Sequence, residues 1–572
     1  MPQWVQVYDP FGHWWLSALI AALPIIVLFT LMAGFRVKPH WSALSAATTA
    51  VLVAYFVFKM PFSLALGSFG YGVATGLMNI VWIVVAAVYL YDISVSTGDF
   101  EIMKASVGGI TADRRLQLLL VAFCFGAFIE GCAGFGSPVA IAGAFMIGLG
   151  FKPFHAAALN LIANTAPVAW GAIGTPVHML AAVTALPEAD MNAMIGRILP
   201  FTAIIVPFWL VRAMVPWKET FEVFPAILVV GVSFAAMQFF WSNYMDSNLV
   251  DITAGLFSLL CTVLFLLFWK PKKIWRFAED PDPALAAAAR AHHTTGQVLK
   301  AWMPFIILSV FVFVWGRQPV KDWINRHTTP GWYQTSVDKD GKTVKKEVKG
   351  WPTPIHNKID RNTPVVPKPT HEGALFAFIW LSATGTACFL AAIVGGLIRG
   401  VNPMNLLKIF GHTLFRMRWA VLAISAMLGL GFVTRYSGTD AVLGLAFTHT
   451  GWFFPFFGTF LGWLGVALTG SDTSSNALFG SLQKITAQQL GISDILMTSA
   501  NSAGGVMGKM VDAQSICVAT AATNQVGNEG MIFRFVVWHS IALGSIVGLI
   551  VMIYAYVPFA KALVPHGIKF LW

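Results

Sequence analysis

Hydrophobic and polar positions along the chain form long apolar runs that are interrupted by short polar breaks. One apolar run, residues 116–149, is about 34 residues long, whereas a single membrane-spanning helix needs only about 20. Its break is Phe128-Ile-Glu-Gly-Cys-Ala-Gly-Phe-Gly-Ser-Pro138. Glycine and proline there favour two half-length helices joined by an irregular turn, and such backbone persists at membrane depth only inside protein or beside a wet cavity. The pattern predicts a hairpin over residues 116–149.

A second break of the same kind is Thr469-Gly-Ser-Asp-Thr-Ser-Ser-Asn-Ala-Leu-Phe-Gly480, which predicts a second hairpin over residues 452–487. Each hairpin is followed by a broken helix, predicted over residues 153–187 and 491–523. The first contains Asn160-Leu-Ile-Ala-Asn-Thr-Ala-Pro-Val-Ala-Trp-Gly171, with Gly174-Thr-Pro176 beyond it, and the second contains Asn501-Ser-Ala-Gly-Gly-Val-Met-Gly-Lys509. Corresponding interrupted segments in two halves of a chain indicate a midplane site in a repeat-built secondary transporter.

Composition sets the fold class. Of 572 residues, 57% are hydrophobic and 11% are charged, whereas soluble domains carry about 25% charged residues. We predict an all-α polytopic membrane protein with about 12 spanning helices and two re-entrant or broken-helix hairpins. The net charge of +11 falls largely in loops that orient membrane helices, so it does not indicate nucleic acid. The five cysteines show no metal spacing, and we expect no metal or cofactor.

The order of segments predicts two repeats of inverted topology. Residues 1–215 form the first repeat, residues 216–300 contain linking helices and a basic cytoplasmic loop, and residues 301–572 form the second repeat. The loop charges place both chain ends outside. In the second repeat we expect a basic loop with Lys408 and Arg418, then a helix over 419–434. The hydrophilic insertion 317–371 is predicted to be external, either as a partly ordered cap or as a flexible loop.

The polar breaks contain groups suited to a small anion, which needs hydrogen-bond donors and positive potential at the midplane. The N-termini of half-helices supply both, and Lys509 is the basic residue within a break. The candidate substrate-binding residues are Gly134, Gly136, Ser137, Asn160, Asn164, Thr165, Thr473, Ser474, Ser475, Asn476, Asn501, Ser502 and Lys509. Acidic side chains at membrane depth usually mark transport pathways, so Glu130, Asp472 and Asp512 are the candidates for proton coupling.

Each of these residues also has a purely structural interpretation. Small polar residues in membrane helices often serve only close packing. Buried acids can belong to structural ion pairs, and Lys509 can extend toward the cytoplasmic end of its segment. A counter-charge for Lys509 within the membrane would come from Asp472 or Asp512.

The sequence contains no H-E-x-x-H motif and no P-loop, which argues against an ATP-driven pump. Secondary transport or a channel remains, and the paired breaks favour alternating access over a continuous pore. A membrane-embedded enzyme that uses Glu130 and Cys132 stays open as a different class of function.

Four motifs are distinctive: Glu130-Gly-Cys-Ala-Gly-Phe-Gly-Ser-Pro-Val-Ala-Ile141, Asn164-Thr-Ala-Pro-Val168, Gly470-Ser-Asp-Thr-Ser-Ser-Asn-Ala-Leu-Phe479, and Gly504-Gly-Val-Met-Gly-Lys-Met510 with Gln514-Ser-Ile516. With these motifs the chain resembles the bacterial L-lactate permease family over nearly its whole length. The resemblance implies a multi-pass symporter of the bacterial cytoplasmic (inner) membrane. Its substrates would be L-lactate and related 2-hydroxy monocarboxylates such as D-lactate and glycolate, taken up with protons. The chain departs from the family pattern at Cys132, at 501–503 and at 511–513, so Asp512 is an addition.

Sodium coupling is the alternative to proton coupling. Broken hairpins rich in serine, threonine and asparagine, with exposed backbone carbonyls, are also how transporters hold Na⁺. The sequence leaves the coupling ion, the stereoselectivity and the oligomeric state open.

Overall fold

Long apolar helices make up most of the chain. The computed structural model describes residues 3–35, 37–134, 137–277, 293–328, 331–337, 343–366, 368–525 and 527–568. Helices up to residue 268 are Trp14–Ala21, Leu23–Phe29, Pro39–Phe56, Phe62–Gly76, Trp82–Ser96, Asp99–Gly108, Arg114–Leu118, Gly126–Ala133, Ser137–Leu149, Pro153–Ala163, Gly171–Thr184, Glu188–Met214, Trp217–Glu222, Phe224–Tyr244 and Val250–Phe268. Those that follow are Thr295–Gly316, Gln318–Thr328, Thr384–Ile398, Pro403–Ser437, Thr439–Phe447, Phe454–Thr469, Asp472–Leu490, Asp494–Gly508, Ala513–Ala522, Glu529–Tyr556 and Pro558–Lys561.

The predicted all-α, multi-pass class is confirmed. Among the described residues, 8 helices are long and apolar enough to cross a membrane, or up to 11 if each bent pair counts as one span. The expected number was about 12. Two apolar helices, Pro138–Leu149 and Thr384–Ile398, are shorter than a full span, which accounts for part of the difference.

Helices are interrupted within each of the predicted hairpins and broken helices, although the helix Arg114–Ala133 has the length of a full span rather than of a half-length helix. The first hairpin joins the helix Arg114–Ala133 to Ser137–Leu149, and the first broken helix consists of Pro153–Ala163 and Val168–Thr184, bent by 64°. The second hairpin joins Phe454–Thr469 to Asp472–Leu490. The second broken helix continues from Asp494–Gly508 through a short turn into Ala513–Ala522.

One helix differs from its prediction. The basic loop expected before residue 419 is instead the first part of the helix Pro403–Ser437, 35 residues long. Lys408, Arg416 and Arg418 lie on this helix, and most side chains around them are exposed. A charged stretch on the exposed face of a helix has the composition of a loop, which is why the prediction was wrong.

The same order of elements occurs within residues 14–214 and 295–556. From Asp99 in the first half and from Thr439 in the second, each half has a short helix, a hairpin, a broken helix and a final long helix. The helices Phe224–Tyr244 and Val250–Phe268 lie between the halves. The opposite orientation of the two repeats, and their boundaries at residues 215 and 300, stay predictions.

One end of the helical body carries what we call the cap face, formed by residues 3–8, 187–190, 245–249 and 557–568 and by the described residues between 317 and 378. The strand Trp4–Val5 pairs in parallel with Ile359–Arg361, which pairs antiparallel with Thr370–His371. Further strands are Gly331–Val337 with Thr343–Lys349, and Trp351–Pro352 with Leu375–Phe376. Where it is described, the insertion is therefore an ordered cap that includes the N-terminal strand.

Charged side chains join this cap to the first broken helix. Glu372 forms ion pairs with Arg361 and Arg435, at 2.5 and 3.1 Å. The Arg435 guanidinium also donates to the Ala182 and Val183 carbonyls, at 3.3 and 3.0 Å. These carbonyls are at the end of the broken helix, where cations also complement the helix dipole.

We expect Glu372→Gln to lower the thermal unfolding midpoint of the purified protein. Removing one member of a buried ion pair costs about 3–5 kcal/mol. Burial alone would raise the pKa of Glu372, but the charges of Arg435 and Arg361 outweigh it and hold the pKa below its usual 4.5. Its stabilisation is therefore present above that value and is lost as the pH falls through the lowered pKa.

The difference in thermal unfolding midpoint between the parent and Glu372→Gln should stay constant near neutral pH and become smaller only at acidic pH. Glu101→Gln is the matched control, since it removes an exposed pair with Lys104 and should leave the midpoint unchanged. An unchanged midpoint in Glu372→Gln at neutral pH would show that the cap is held by other contacts.

Candidate functional site

The four predicted breaks meet at one cavity of about 30 Å³. The first hairpin, the first broken helix, the second hairpin and the second broken helix all contribute to it. The lining residues are Glu130, Gly134, Val168, Gly171, Ala172, Thr175, Pro176, Gly470, Ser471, Asp472, Thr473 and Lys509. A water molecule needs about 10–15 Å³, so the cavity as it stands has room for only a few waters. A larger ligand requires the surrounding segments to move apart.

The backbone of the first broken helix is irregular where it borders the cavity. Ala172, Ile173 and Gly174 have φ angles of 46°, 59° and 70°, in the left-handed region. For a residue with a Cβ this conformation costs about 1–2 kcal/mol, and such strain is concentrated at functional sites. Gly171 lies so close to Glu130 that a Cβ at Gly171 would overlap Oε1 of the carboxylate. The two breaks of the first half are thus packed directly on each other.

Glu130 is 3% exposed, and its Oε2 atom has no hydrogen-bond partner among the described residues. The amide of Asn164 lies near this carboxylate, but neither of its polar atoms makes a hydrogen bond of good geometry. A buried polar group without a partner costs about 1–3 kcal/mol. These atoms are available to a proton or a ligand.

The second hairpin presents the N-terminus of a helix to the cavity. Gly470 has a φ of 72°, a conformation that glycine adopts without steric cost. Ser471 then caps the helix Asp472–Leu490, because its side chain accepts from the Ser474 backbone N–H. Free backbone amides and the helix dipole give this end a partial positive charge. The arrangement suits an anionic group.

Asp472 is held by a polar network on one side only. Its Oδ2 accepts from the Ser502 hydroxyl at 2.5 Å and from the Asn476 amide at 3.4 Å. Asn501 in turn donates to Asn476 Oδ1 at 2.9 Å. The other carboxylate oxygen, Oδ1, has no partner among the described residues. Asp472 therefore combines a fixed position with an oxygen that is free to take a proton.

Lys509 is the cation of the cavity lining. It is 4% exposed, and its ammonium donates to the Gly470 carbonyl at 2.5 Å. It also lies 3.3 Å from Asp512 Oδ2, so Asp512 rather than Asp472 is its direct counter-charge. Asp512 accepts from the Ser515 backbone N–H at 2.6 Å and caps Ala513–Ala522. Lys509 is thus buried beside the cavity.

Several sequence candidates lie away from the cavity lining. Asn160 donates to the Ala156 carbonyl at 2.6 Å, Thr165 to the Ile162 carbonyl at 2.7 Å, and Ser475 to the Gly462 carbonyl at 3.0 Å. Ser474 lines a separate, larger cavity. Gly136 and the side chain of Ser137 lie outside the described residues.

The structure adds Thr175 and Pro176, which we did not predict as site residues from the sequence. The hydroxyl oxygens of Thr175 and of the predicted Thr473, one from each half, are 3.5 Å apart. The Asn476 amide donates to the Pro176 carbonyl at 3.1 Å, again between the halves. The Gly174-Thr-Pro176 sequence, a turn signal inside an apolar segment, was the available indication for the first-half residues.

Three carboxylates surround one ammonium at this site. Glu130 and Asp472 line the cavity with Lys509, and Asp512 pairs with Lys509. The described residues contain no cluster of three or more His, Cys, Asp or Glu side chains that could hold a metal ion. With all of these groups ionised the site is net negative, so it would repel an anion unless it also takes up protons.

Comparison with known proteins gives matches over almost the full length. A family model described as L-lactate permease matches residues 17–558. Glycolate permease GlcA of Escherichia coli K12 is 45% identical over 567 residues, which is 97% of this chain and 99% of that protein. L-lactate permease of the same strain is 45% identical over 562 residues, with the same coverage. L-lactate permease of Bacillus subtilis 168 is 40% identical over 570 residues, again 97% and 99%.

Proposed function

Because the chain belongs to the L-lactate permease family, we propose that it takes up lactate and glycolate as a proton-coupled symporter. The family that we predicted from the sequence motifs is confirmed. As a permease with many apolar helices, the chain is a multi-pass protein of the cytoplasmic membrane. L-lactate, D-lactate and glycolate are the proposed substrates, all small 2-hydroxy monocarboxylates.

The charge balance of the cavity carries the proposal of proton coupling. Two unit charges 4 Å apart interact by about 4 kcal/mol at an effective dielectric constant of 20. A monocarboxylate that enters beside ionised Glu130 and Asp472 is repelled by both. Protonation of either acid removes one repulsion, so a bound proton favours the substrate and a bound substrate favours the proton. Symport of one with the other follows from this reciprocity.

Glu130 and Asp472 are the proposed proton carriers. Each lines the cavity and has one carboxylate oxygen without a partner among the described residues. Asp512 was a third candidate from the sequence. Its oxygens face the Ser515 amide and Lys509, so we assign it to the balance of the Lys509 charge.

We propose that the substrate carboxylate binds between Lys509 and the helix end at Ser471–Thr473. The Lys509 ammonium now donates to the Gly470 carbonyl, and it would exchange this weak acceptor for the substrate carboxylate. Charge-assisted hydrogen bonds of this kind are about twice as strong as neutral ones. The Thr175 and Thr473 hydroxyls, which meet across the two halves, are placed to bond the 2-hydroxyl.

Sodium coupling remains the second candidate. The Asp472 carboxylate lies with the Ser502 hydroxyl and the Asn476 amide in one polar network, and oxygen ligands of this kind also hold Na⁺ in broken-helix transporters. An imposed ion gradient separates the two candidates, as described in the Discussion.

Recognition of the 2-hydroxyl gives a prediction that tests the substrate class. Propionate, which lacks this hydroxyl, should inhibit counterflow of labelled L-lactate with an inhibition constant at least about tenfold above that of glycolate. The reason is that buried hydroxyls left unpaired cost about 1–3 kcal/mol, and 1.4 kcal/mol corresponds to a factor of ten. Counterflow in proteoliposomes against a panel of monocarboxylates measures this directly.

Thr473→Val provides the matched variant, because valine keeps the shape of threonine and removes the hydroxyl. In that variant the inhibition constants of glycolate and propionate should lie closer together than in the parent. Equal competition by propionate in the parent protein would show that only the carboxylate is recognised. Absence of lactate counterflow would overturn the proposed function itself.

A further inference from the structure

Outside the substrate cavity, ionisable and polar side chains form a line from the cap face toward Glu130. Its members are Glu188, His178, Asn248 and Asp251. None of them lines the cavity. His178 and Glu188 belong to the first half of the chain, whereas Asn248 and Asp251 belong to the loop and helix that link the halves. The functions assigned above use none of these residues.

The outer part of the line is hydrogen-bonded and reaches solvent. The side chain of Glu188 is 37% exposed, and its Oε2 lies 3.1 Å from His178 Nδ1. The other ring nitrogen, Nε2, lies 2.9 Å from Asn248 Oδ1. The Ser247 hydroxyl donates to Glu188 Oε1 at 2.5 Å and fixes the carboxylate. An imidazole with partners on both nitrogens can take a proton on one and release a proton from the other.

The inner part of the line is Asp251, the second residue of Val250–Phe268. Its side chain is fully buried, and neither carboxylate oxygen has a hydrogen-bond partner among the described residues. An ionised carboxylate in such a place is costly unless it has a partner, so Asp251 holds a proton at rest.

Asp251 lies next to Glu130. A Cβ on Gly131, the residue that follows Glu130, would be 2.9 Å from Asp251 Cβ, so the two backbones are in close contact. The two carboxyl groups are near enough to interact electrostatically. Asp251 is therefore placed to exchange a proton with the acid that borders the substrate cavity.

Hydrogen bonds to Asp246 hold the loop that joins the two parts. Asp246 Oδ1 accepts from the backbone N–H groups of Asn248 and Leu249, at 2.7 and 3.0 Å. Asn248 directly precedes the N-cap residue Leu249 of the helix Val250–Phe268, and Asp251 is the second residue of that helix. A Cβ on Gly174 would overlap the Ser247 carbonyl, so the loop also touches the irregular backbone of the first broken helix.

The charged groups around this line are few. Lys321 of the cap lies near Glu188, His178 and Asp246. Glu130 and the Cys132 thiol face Asp251 from the first hairpin. Lys321 therefore places positive charge at the outer end of the line, and Asp251 and Glu130 place acidic groups at its inner end. A proton that moves inward moves toward negative charge.

We propose that Glu188, His178 and Asp251 are the route by which protons from the cap face reach Glu130. A proton enters at Glu188 and binds His178. Asp251, which holds a proton at rest, passes that proton to the Glu130 carboxylate and takes the next one from the imidazole past Asn248, so it ends protonated again. No covalent bond other than those to the moving proton changes. This inference rests on the proposed proton coupling, and it gives protons a path separate from that of the substrate.

The test uses the full-length protein in proteoliposomes and two measurements. Exchange of external labelled L-lactate for internal lactate requires no net proton movement. Proton influx on addition of lactate is followed with a trapped pH-sensitive dye. In Asp251→Asn we expect the ratio of proton influx to lactate exchange to fall at least about tenfold. The reason is that loss of a proton-transfer group lowers the rate of a proton transfer by a factor of about 10²–10⁴. Asp251→Glu, which keeps the acid, should recover part of the influx.

His178→Gln tests the outer part of the route and keeps hydrogen-bonding capacity. Its proton influx should fall relative to exchange, and the loss should grow as external pH rises and protons become scarcer. The matched control is Asp246→Asn, which keeps the acceptor for the helix cap and lies outside the proposed route. Its ratio of influx to exchange should equal that of the parent.

Proton influx at the parental ratio in Asp251→Asn would overturn the proposal. If Asp251→Asn does not fold, the parental ratio in His178→Gln overturns it instead. Lactate exchange without any proton influx in the parent protein is a different outcome, because it would remove proton coupling from the proposed function and this route with it.

Discussion

Lys509→Gln is expected to lower the affinity for lactate at least about a hundredfold. Removing one member of a buried charge pair costs about 3–5 kcal/mol, and each 1.4 kcal/mol is a factor of ten. Lys509 is the cation that lines the cavity among the described residues. Its loss removes the partner of the substrate carboxylate and leaves the nearby Asp512 charge without its ion pair. The concentration of lactate that gives half-maximal counterflow measures the change.

Lys484→Gln is the control for this experiment. Lys484 is a half-buried lysine on the second hairpin that donates to the Thr184 carbonyl at 2.8 Å, and it does not line the cavity. Its replacement should leave lactate affinity close to that of the parent. Lys509→Arg keeps the charge and should bind lactate better than Lys509→Gln. If Lys509→Gln has parental affinity, Lys509 is a structural residue and the carboxylate binds elsewhere.

Glu130→Gln is expected to abolish uphill accumulation of lactate driven by a pH gradient. Glutamine keeps the size of the side chain and cannot carry a proton. In the parent, lactate affinity should weaken as pH rises, by up to about tenfold per pH unit for one coupled proton. In Glu130→Gln the affinity should depend less steeply on pH than in the parent, because Asp472 is then the remaining proposed carrier whose charge repels the substrate.

Glu222→Gln serves as the control, since Glu222 pairs with Arg115 and neither residue lines the cavity. It should accumulate lactate as the parent does. Two results would assign Glu130 a structural role. One is uphill uptake by Glu130→Gln, and the other is a pH dependence of its lactate affinity as steep as that of the parent.

The sequence predicted the hairpins and broken helices well, for a physical reason. Glycine, proline and small polar residues inside an apolar run interrupt a helix, and such interruptions are rare at membrane depth unless they border a cavity. The breaks at Glu130, Asn164, Asp472 and Lys509 each carried this signal. Their meeting at one cavity follows from the fold, since no local pattern specifies contacts between distant segments.

Residues that the sequence did not identify lack such a signal. Asp251 follows an ordinary turn at the start of an apolar helix, where an acidic residue is typical of a helix N-terminus. Its burial against Gly131 depends on how Val250–Phe268 packs on the first hairpin. The sequence likewise contains no signal for a role of His178, because a lone histidine in an apolar segment is usually a packed residue. Its contacts with Glu188 and Asn248 join segments that are separate in sequence.

The coupling ion is the most direct test of the account. Proteoliposomes that contain the purified protein and no internal lactate are given either an acid-outside pH gradient or an inward Na⁺ gradient, with the membrane potential clamped. We predict that labelled L-lactate accumulates above equilibrium under the pH gradient, that a proton ionophore abolishes this accumulation, and that Na⁺ has no effect. Accumulation under the Na⁺ gradient without a response to the pH gradient would contradict the account.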